Sequence, residues 1–328
     1  MQHERDSRQT QATSHLPLRE RIGLSIIASD ATDAVNRIVE AERAGLRQVW
    51  LSQGGAAGAD TLTIIAMATM RTTQIRLGTA IVPIYPRHPI VMAQQALAIH
   101  DIAPGRLRLG IGPSHRPIIE GAYGLKMTAP LAYLREYMTV LRGLLGEGHS
   151  DYQGTFFQVR ATSRTAPIPL LVSALGQKAF HLAGEISDGA LSWNCPVPYL
   201  LKEALPSLQA GAMAQDRPAP PLVAHVVVAL STDEATVQAQ ARPFLQRYAQ
   251  LPFYAHMFQE AGLPVASDGS GLDALAQALV ISGDEATVSG RLTELLAHGL
   301  DEIMVHPLPL SNEGKAREQL LQCLAALA

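Results

Sequence analysis

Two short runs of this 328-residue chain combine small residues with groups able to hold an anion or move a proton. In IPLLVSALGQKA (residues 168–179) a strand-like run ends in Ser173, Ala174, Leu175 and Gly176, then opens straight into a helix at Gln177 and Lys178. Unpartnered N–H groups at a helix start attract an anion and Lys178 adds a cation, so the turn suits a phosphate. The same residues also read as a plain βα turn in which Gly176 serves tight geometry. In RLRLGIGPSHR (residues 106–116) a second strand-like run leads into Gly112, Ser114 and His115. LGIGPS holds a GxG but lacks the third glycine of a dinucleotide fingerprint. QGGAAGAD (residues 53–60) fails that pattern too and has no Gly-Lys-Ser/Thr for a P-loop. No HExxH or GxSxG occurs and the eleven histidines are scattered, which disfavours metal catalysis and a serine triad.

Composition narrows the partners. Apolar residues make up 47% and charged residues only 17%, which favours a packed core over a disordered or coiled-coil chain. The 26 Lys and Arg against 29 Asp and Glu leave no cationic excess for a nucleic-acid surface. Two cysteines, Cys195 and Cys323, make neither a disulfide framework nor a metal-ligand spacing, which fits a reducing compartment. The first twenty residues are polar and lack the apolar core of a secretory signal. The longest apolar stretch, Thr61 to Met70, falls far short of the roughly 18 residues of a membrane span. The expectation is a cytoplasmic protein with no membrane or nucleic-acid partner and a disordered N-terminal tail over residues 1–18.

What positions the candidate residues is a repeating rhythm of short β-rich runs and longer helical stretches. The runs are Arg21–Ala28, Gln48–Gln53, Ile75–Ile84, Arg106–Gly112, Ile168–Ala174, Gly189–Asn194, Leu222–Leu230 and Glu302–Pro307. Each is followed by helical sequence. The first helix is expected to be capped by Asp33 and ended by Gly45. A β-hairpin is predicted at Asp151–Arg160, and a long irregular helical segment at Asp233–Leu300. Strand alternating with helix argues for a parallel sheet, because parallel strands need crossover connections. Eight such units match a (β/α)8 TIM barrel, which takes about 250 residues plus insertions; here the insertions follow strands 4 and 7. An open doubly wound sheet is the alternative. With no linker-like stretch, residues 19–328 are expected to form a single domain.

In such a barrel the reacting groups stand at the C-terminal ends of the strands. Those positions are Ser52 and Gln53, Thr79 to Pro83, Gly112 to Arg116, Ser173 to Lys178, Trp193 with Asn194, and His306. Loop residues Tyr123, Phe253, Tyr254, Met257 and Phe258 read equally as an apolar pocket or as core and dimer contacts.

The stretch RLGTAIVPIYPRHPIVMAQQALAIHDIAPGRLRLGIGPSH (Arg76–His115) closely resembles the bacterial-luciferase-like superfamily, and within it the branch that uses the deazaflavin coenzyme F420. EYMTVLRGLL, DYQGTFFQV, PLLVSALGQKAFHLAGEISDGALSW and GDEATVSGRL extend the resemblance over nearly the whole chain. It implies a coenzyme ring across the barrel mouth and a non-prolyl cis peptide behind it at Ala80–Ile81. It implies a phosphate held by Leu175, Gly176 and Gln177, where close relatives often carry a proline in place of Gln177. The coenzyme-contacting set becomes Ser52, Gln53, Thr79, Ala80, Ile81, Gly112, Ser114, Ser173, Ala174, Leu175, Gly176, Gln177, Lys178 and Trp193, with no metal.

Several characterised relatives carry an Asp-His pair where this chain has Ser52 and Gln53, neutral side chains that shuttle protons poorly. Some place a glutamate at the position of His115, and an imidazole is well matched to acid–base work near pH 7. His115 is therefore the candidate proton donor, with Ser52 and Gln53 as polar partners; the other reading is a structural histidine bonding a loop carbonyl. The resemblance implies a homodimeric oxidoreductase moving a hydride between F420 and a small organic substrate, with reduction of an activated C=C or C=N favoured. The alternatives are an FMN-dependent monooxygenase served by a separate flavin reductase, and a non-catalytic flavin-binding protein.

Overall fold

A computed structural model of the chain describes residues 16–53, 58–310 and 313–327. Most of the expected tail and the glycine-rich loop at residues 54–57 lie outside the described residues; Leu18 already opens a helical turn, Leu18–Arg21. The strands are β1 (Ile22–Ser25), β2 (Gln48–Leu51), β3 (Arg76–Thr79), β4 (Val82–Pro83), β5 (Leu107–Gly112), β6 (His149–Gln153), β7 (Gln158–Thr162), β8 (Leu170–Ser173), β9 (Gly189–Leu191), β10 (Leu222–Leu230), β11 (Val280–Gly283) and β12 (Glu302–Pro307).

Parallel pairing runs β1-β2-β3-β5-β8-β9 and returns through β10 and β12 to β1, closing a (β/α)8 TIM barrel. Helices cover the outside, so barrel strands are buried on both faces, β10 over eight of its nine residues. β6 and β7 form the separate antiparallel hairpin between β5 and β8. Between β10 and β12 the chain is not helical throughout. β11 pairs with the C-terminal half of β10, Val227↔Val280 through Leu230↔Gly283. The third strand is also broken, because the cis Ala80–Ile81 peptide separates β3 from β4.

Helix Ala31–Arg43 is capped by Asp30, whose side chain accepts from Asp33 N; Asp33 instead accepts from Ser29 N and binds Arg37. Gly45, with φ +98°, follows that helix in the left-handed conformation glycine tolerates. Pro117–Ala122, Gly143–Glu147 and Leu200–Ala204 are wider π-helical turns within or beside helices.

Inward side chains fill the barrel in layers, as period-two alternation along each strand requires. The lowest layer is ionic. Arg108 donates to both Glu302 oxygens at 2.6 and 2.9 Å and to Gln48 Oε1 at 2.8 Å. Above it lies an apolar plug of Trp50, Ala80, Leu171, Leu191, Val223 and Met304, with Ile81 and Trp193 packed on top. Gly78 makes room for the plug: a Cβ there would stand 2.2 Å from the Trp50 ring. The plug seals the barrel and gives the mouth a floor.

Candidate active site

The floor of the mouth is built from small residues. Ser52 donates its hydroxyl to Ala80 O at 2.7 Å, and Gln53 N donates to Ile81 O at 3.2 Å. The end of β2 thus holds the carbonyls on both sides of the cis bond. Opposite them, Gly112 faces Ser173 so closely that a Cβ would stand 2.0 Å from its hydroxyl. Ala80, Gly112 and Ser173 therefore leave a low surface between β3 and β8 that a planar ring could cover, flanked by half-buried Ile81. Ser114, with φ +63°, turns the chain sharply after β5 and sends His115 back toward the mouth.

Beyond Ser173 the chain enters helix Gln177–Ile186, whose N-cap is Gly176. The starts of Ala31–Arg43, Thr61–Thr69, Glu234–Ala249 and Glu285–Ala297 are capped by aspartates, but no side chain caps this one. The first-turn N–H groups of Gln177 and Lys178 have no acceptor inside the helix, as at any helix start. Gly176 has ordinary extended backbone, φ −91° and ψ 163°, and nothing stands within 4 Å of where its Cβ would be. The cradle is open, the Gly176 carbonyl oxygen turned into the helix, and Lys178 beside it is exposed.

Several residues expected at the coenzyme are engaged by the fold. Thr79 is fully buried, and its hydroxyl both donates to Gly110 O and accepts from Gly110 N, at 2.7 and 2.8 Å. Its side chain ties β3 to β5 and reaches no ligand. The Gln53 amide accepts from Thr61 N at 2.9 Å and donates to Ala59 O at 3.3 Å. It braces Ala59 and the start of helix Thr61–Thr69, and a neutral amide so engaged is no proton shuttle. Ala174 N donates to Leu191 O, and Gln177 donates to Glu203 at 2.8 Å. Leu175 O accepts from the Tyr199 hydroxyl at 3.2 Å.

His115 is half-buried at the rim, its ring 6.0 Å from Tyr248 and 5.7 Å from Tyr254 between centroids. Burial alone pushes its pKa below the usual histidine value. Trp193 stacks on His225 at 3.9 Å and donates from Nε1 to the Tyr248 hydroxyl at 2.8 Å. His306 meets Ser25 Oγ at 3.2 Å, and burial lowers its pKa to about 4. Tyr254 thus belongs to the mouth, whereas Met257 and Phe258 are core and Phe253 is exposed. Among the residues not singled out from sequence are His225 and Tyr248. The one legible sign of His225 was a histidine inside the apolar run LVAHVVVAL.

Among the described residues no cluster of His, Cys, Asp and Glu is placed to hold a metal, and no helix is long and apolar enough to cross a membrane. Both cysteines are buried and free. A bare floor ending in an uncapped helix start fits a planar ring bearing a phosphate.

The family description of luciferase-like monooxygenases matches residues 7–302. A 5,10-methylenetetrahydromethanopterin reductase from Methanolobus tindarius is 26% identical over 225 residues, 67% of this chain and 68% of its own length. An F420-dependent glucose-6-phosphate dehydrogenase from Kineococcus radiotolerans is 26% identical over 290 residues, covering 82% of this chain and 85% of that one. The solved coenzyme F420 dependent tetrahydromethanopterin reductase from Methanopyrus kandleri shares the fold, with a TM-score of 0.75 and 22% identity over 93% of this chain and 97% of that one.

Proposed function

The chain belongs to the luciferase-like monooxygenase family, and we propose that it is a coenzyme F420-dependent oxidoreductase acting on a small organic substrate. One observation carries the reading. The small-residue floor from the cis Ala80–Ile81 peptide across Gly112 and Ser173 runs into the uncapped helix start at Gly176. The name of the F420-dependent glucose-6-phosphate dehydrogenase relative supports the same coenzyme.

When bound, the deazaflavin supplies a carbon-centred hydride donor or acceptor that reacts poorly with oxygen. The chain's part is to orient and to protonate. The N–H groups of Gln177 and Lys178, with the Lys178 ammonium, would hold the phosphate. Ala80, Gly112 and Ser173 would carry the ring, and Ile81 would back it. His115, at the rim, would hold the proton that leaves or reaches the substrate. Reduction of an activated C=C or C=N is favoured, because Ser52 and Gln53 provide no acid–base pair at the end of β2. FMN binding is the second reading, supported by the family's own description, since the same floor and helix start suit FMN.

Replacing Gly176 tests the phosphate site. A side chain fits the backbone there and meets open space, so Gly176→Val should cost only about 1 kcal/mol of stability, as at other caps. It should weaken coenzyme binding tenfold or more, read by fluorescence titration beside a melting curve. Unchanged affinity would place the phosphate elsewhere.

We also infer self-association. Helices Thr61–Thr69 and Pro89–Ile102 pack together and, with Met70 just after the first, leave Met67, Met70, Val91 and Ile102 exposed, apolar surface that a second copy would bury. Light scattering is expected to give about twice the chain mass, and a monomer at micromolar concentration would refute it.

A further inference from the structure

We propose that the substrate side of this mouth takes an uncharged, flat, conjugated molecule bearing a carbonyl-type acceptor, and rejects phosphorylated or carboxylated ones. The proposal rests on reading the mouth as the coenzyme's site, and it goes further by naming the substrate's chemistry.

The wall opposite the floor is made of rings. Phe244 stacks with His306 at 5.8 Å and meets Tyr248 at 5.2 Å. His306 stands 4.9 Å from His225 and 5.4 Å from Trp193. The Trp193–Tyr248 hydrogen bond closes the circuit, and His115 joins it through Tyr248. Phe244, Tyr248, Trp193 and His306 are only partly buried, so each keeps surface that a flat ligand would cover. Aromatic faces and edges favour flat partners.

The wall is also electrically neutral. Burial lowers the pKa of His115 and His306 and favours their neutral forms. His225 is held well below the usual histidine value, by burial and by His306. All three are neutral at pH 7. The cations near it are exposed: Arg116 is paired with Glu120, and Arg247 acts by its charge on Tyr248 from the solvent side. An anionic group entering among these rings would lose its water and find no buried counter-charge to replace it.

Two buried donors are left for a neutral acceptor, His225 Nε2 and Asn194 Nδ2. Asn194 N donates to His225 Nδ1 at 3.3 Å, which fixes Nδ1 as the acceptor and leaves the proton on Nε2. That Nε2–H is buried without a protein partner on a ring that neighbours Trp193 and His306, and both amide atoms of Asn194 are likewise buried and unpartnered. Buried polar groups are rarely left unpaired. A carbonyl oxygen, bonded directly or through one water, would complete His225.

The test uses the coenzyme-free full chain at pH 7.5 and a matched pair of probes, cinnamamide and cinnamate, which share a flat conjugated frame and differ in charge. Calorimetric titration should give cinnamamide at least tenfold tighter binding, and glucose 6-phosphate should give no heat. Phe244→Ala and Tyr248→Ala, each checked by its melting curve, should weaken cinnamamide at least fivefold. Cinnamate binding as tightly as the amide, no measurable cinnamamide binding, or wild-type affinity in both folded variants would overturn the proposal. Because the probes are titrated without coenzyme, tight F420 binding alongside any of these results would sink this inference and leave the coenzyme reading standing.

Discussion

Replacing His115 with alanine is expected to lower turnover on a confirmed substrate by about 10²–10⁴-fold, the usual contribution of a positioned proton donor. Coenzyme affinity should hardly change, because the floor and the helix start lie on other segments. The pH profile carries the sharper signature. Burial holds the His115 pKa below 6.5, so its protonated form is already scarce at pH 7. In the reducing direction the wild-type rate should fall as pH rises through that lowered pKa, and His115→Ala should lose this limb. A histidine that only packs against Tyr248 and Tyr254 would behave otherwise: its loss would lower the melting temperature and move affinity and rate together. Near-full turnover in the variant would assign the proton to another residue or to water.

The largest effect on stability is expected at the other end of the barrel. Glu302 is almost wholly buried and takes both of its close hydrogen bonds from Arg108. Glu302→Ala would leave the Arg108 guanidinium buried beside Trp50, its centre 4.8 Å from the ring, with only Gln48 as a polar partner. Breaking such a pair from one side typically costs about 3–5 kcal/mol. Removing both charges in Arg108→Met with Glu302→Leu should recover much of that loss, because a desolvated pair contributes little against an apolar replacement. Denaturant unfolding of the two variants decides it. A double variant as unstable as the single one would mean that the pair is not the source of the cost.

Much of the barrel was legible in the sequence because its strands are near-continuous apolar runs between helical stretches. β10 and β12 begin and end where their residues predict. Other features leave no local signal. The break between β3 and β4 depends on one peptide's isomer, and RLGTAIVPI reads as a single strand until β5 and the end of β2 hold its two halves. β11 is four residues long and immediately follows helix Leu272–Leu279, so its pairing with β10 is visible only once the barrel is closed. The helix cap was displaced from Asp33 to Asp30 because both aspartates stand near the helix start and only backbone geometry ranks them.

At the candidate site, the small-residue turn into helix Gln177–Ile186 and the small residues of the floor lie at the strand ends where the sequence puts them. The Thr79 and Gln53 side chains bond the backbone, because a hydroxyl or amide at a strand end serves the backbone as readily as a ligand. His225 and Tyr248 come from a strand interior and a distant helix, and only the fold brings them beside Trp193.

The account's central claim is that the floor and the helix start hold F420. Fluorescence-quenching titration of the purified wild-type chain with F420 and, separately, with FMN tests it most directly. Saturable F420 binding at least tenfold tighter than FMN is the predicted result. Tighter FMN binding, or no F420 binding, would contradict it.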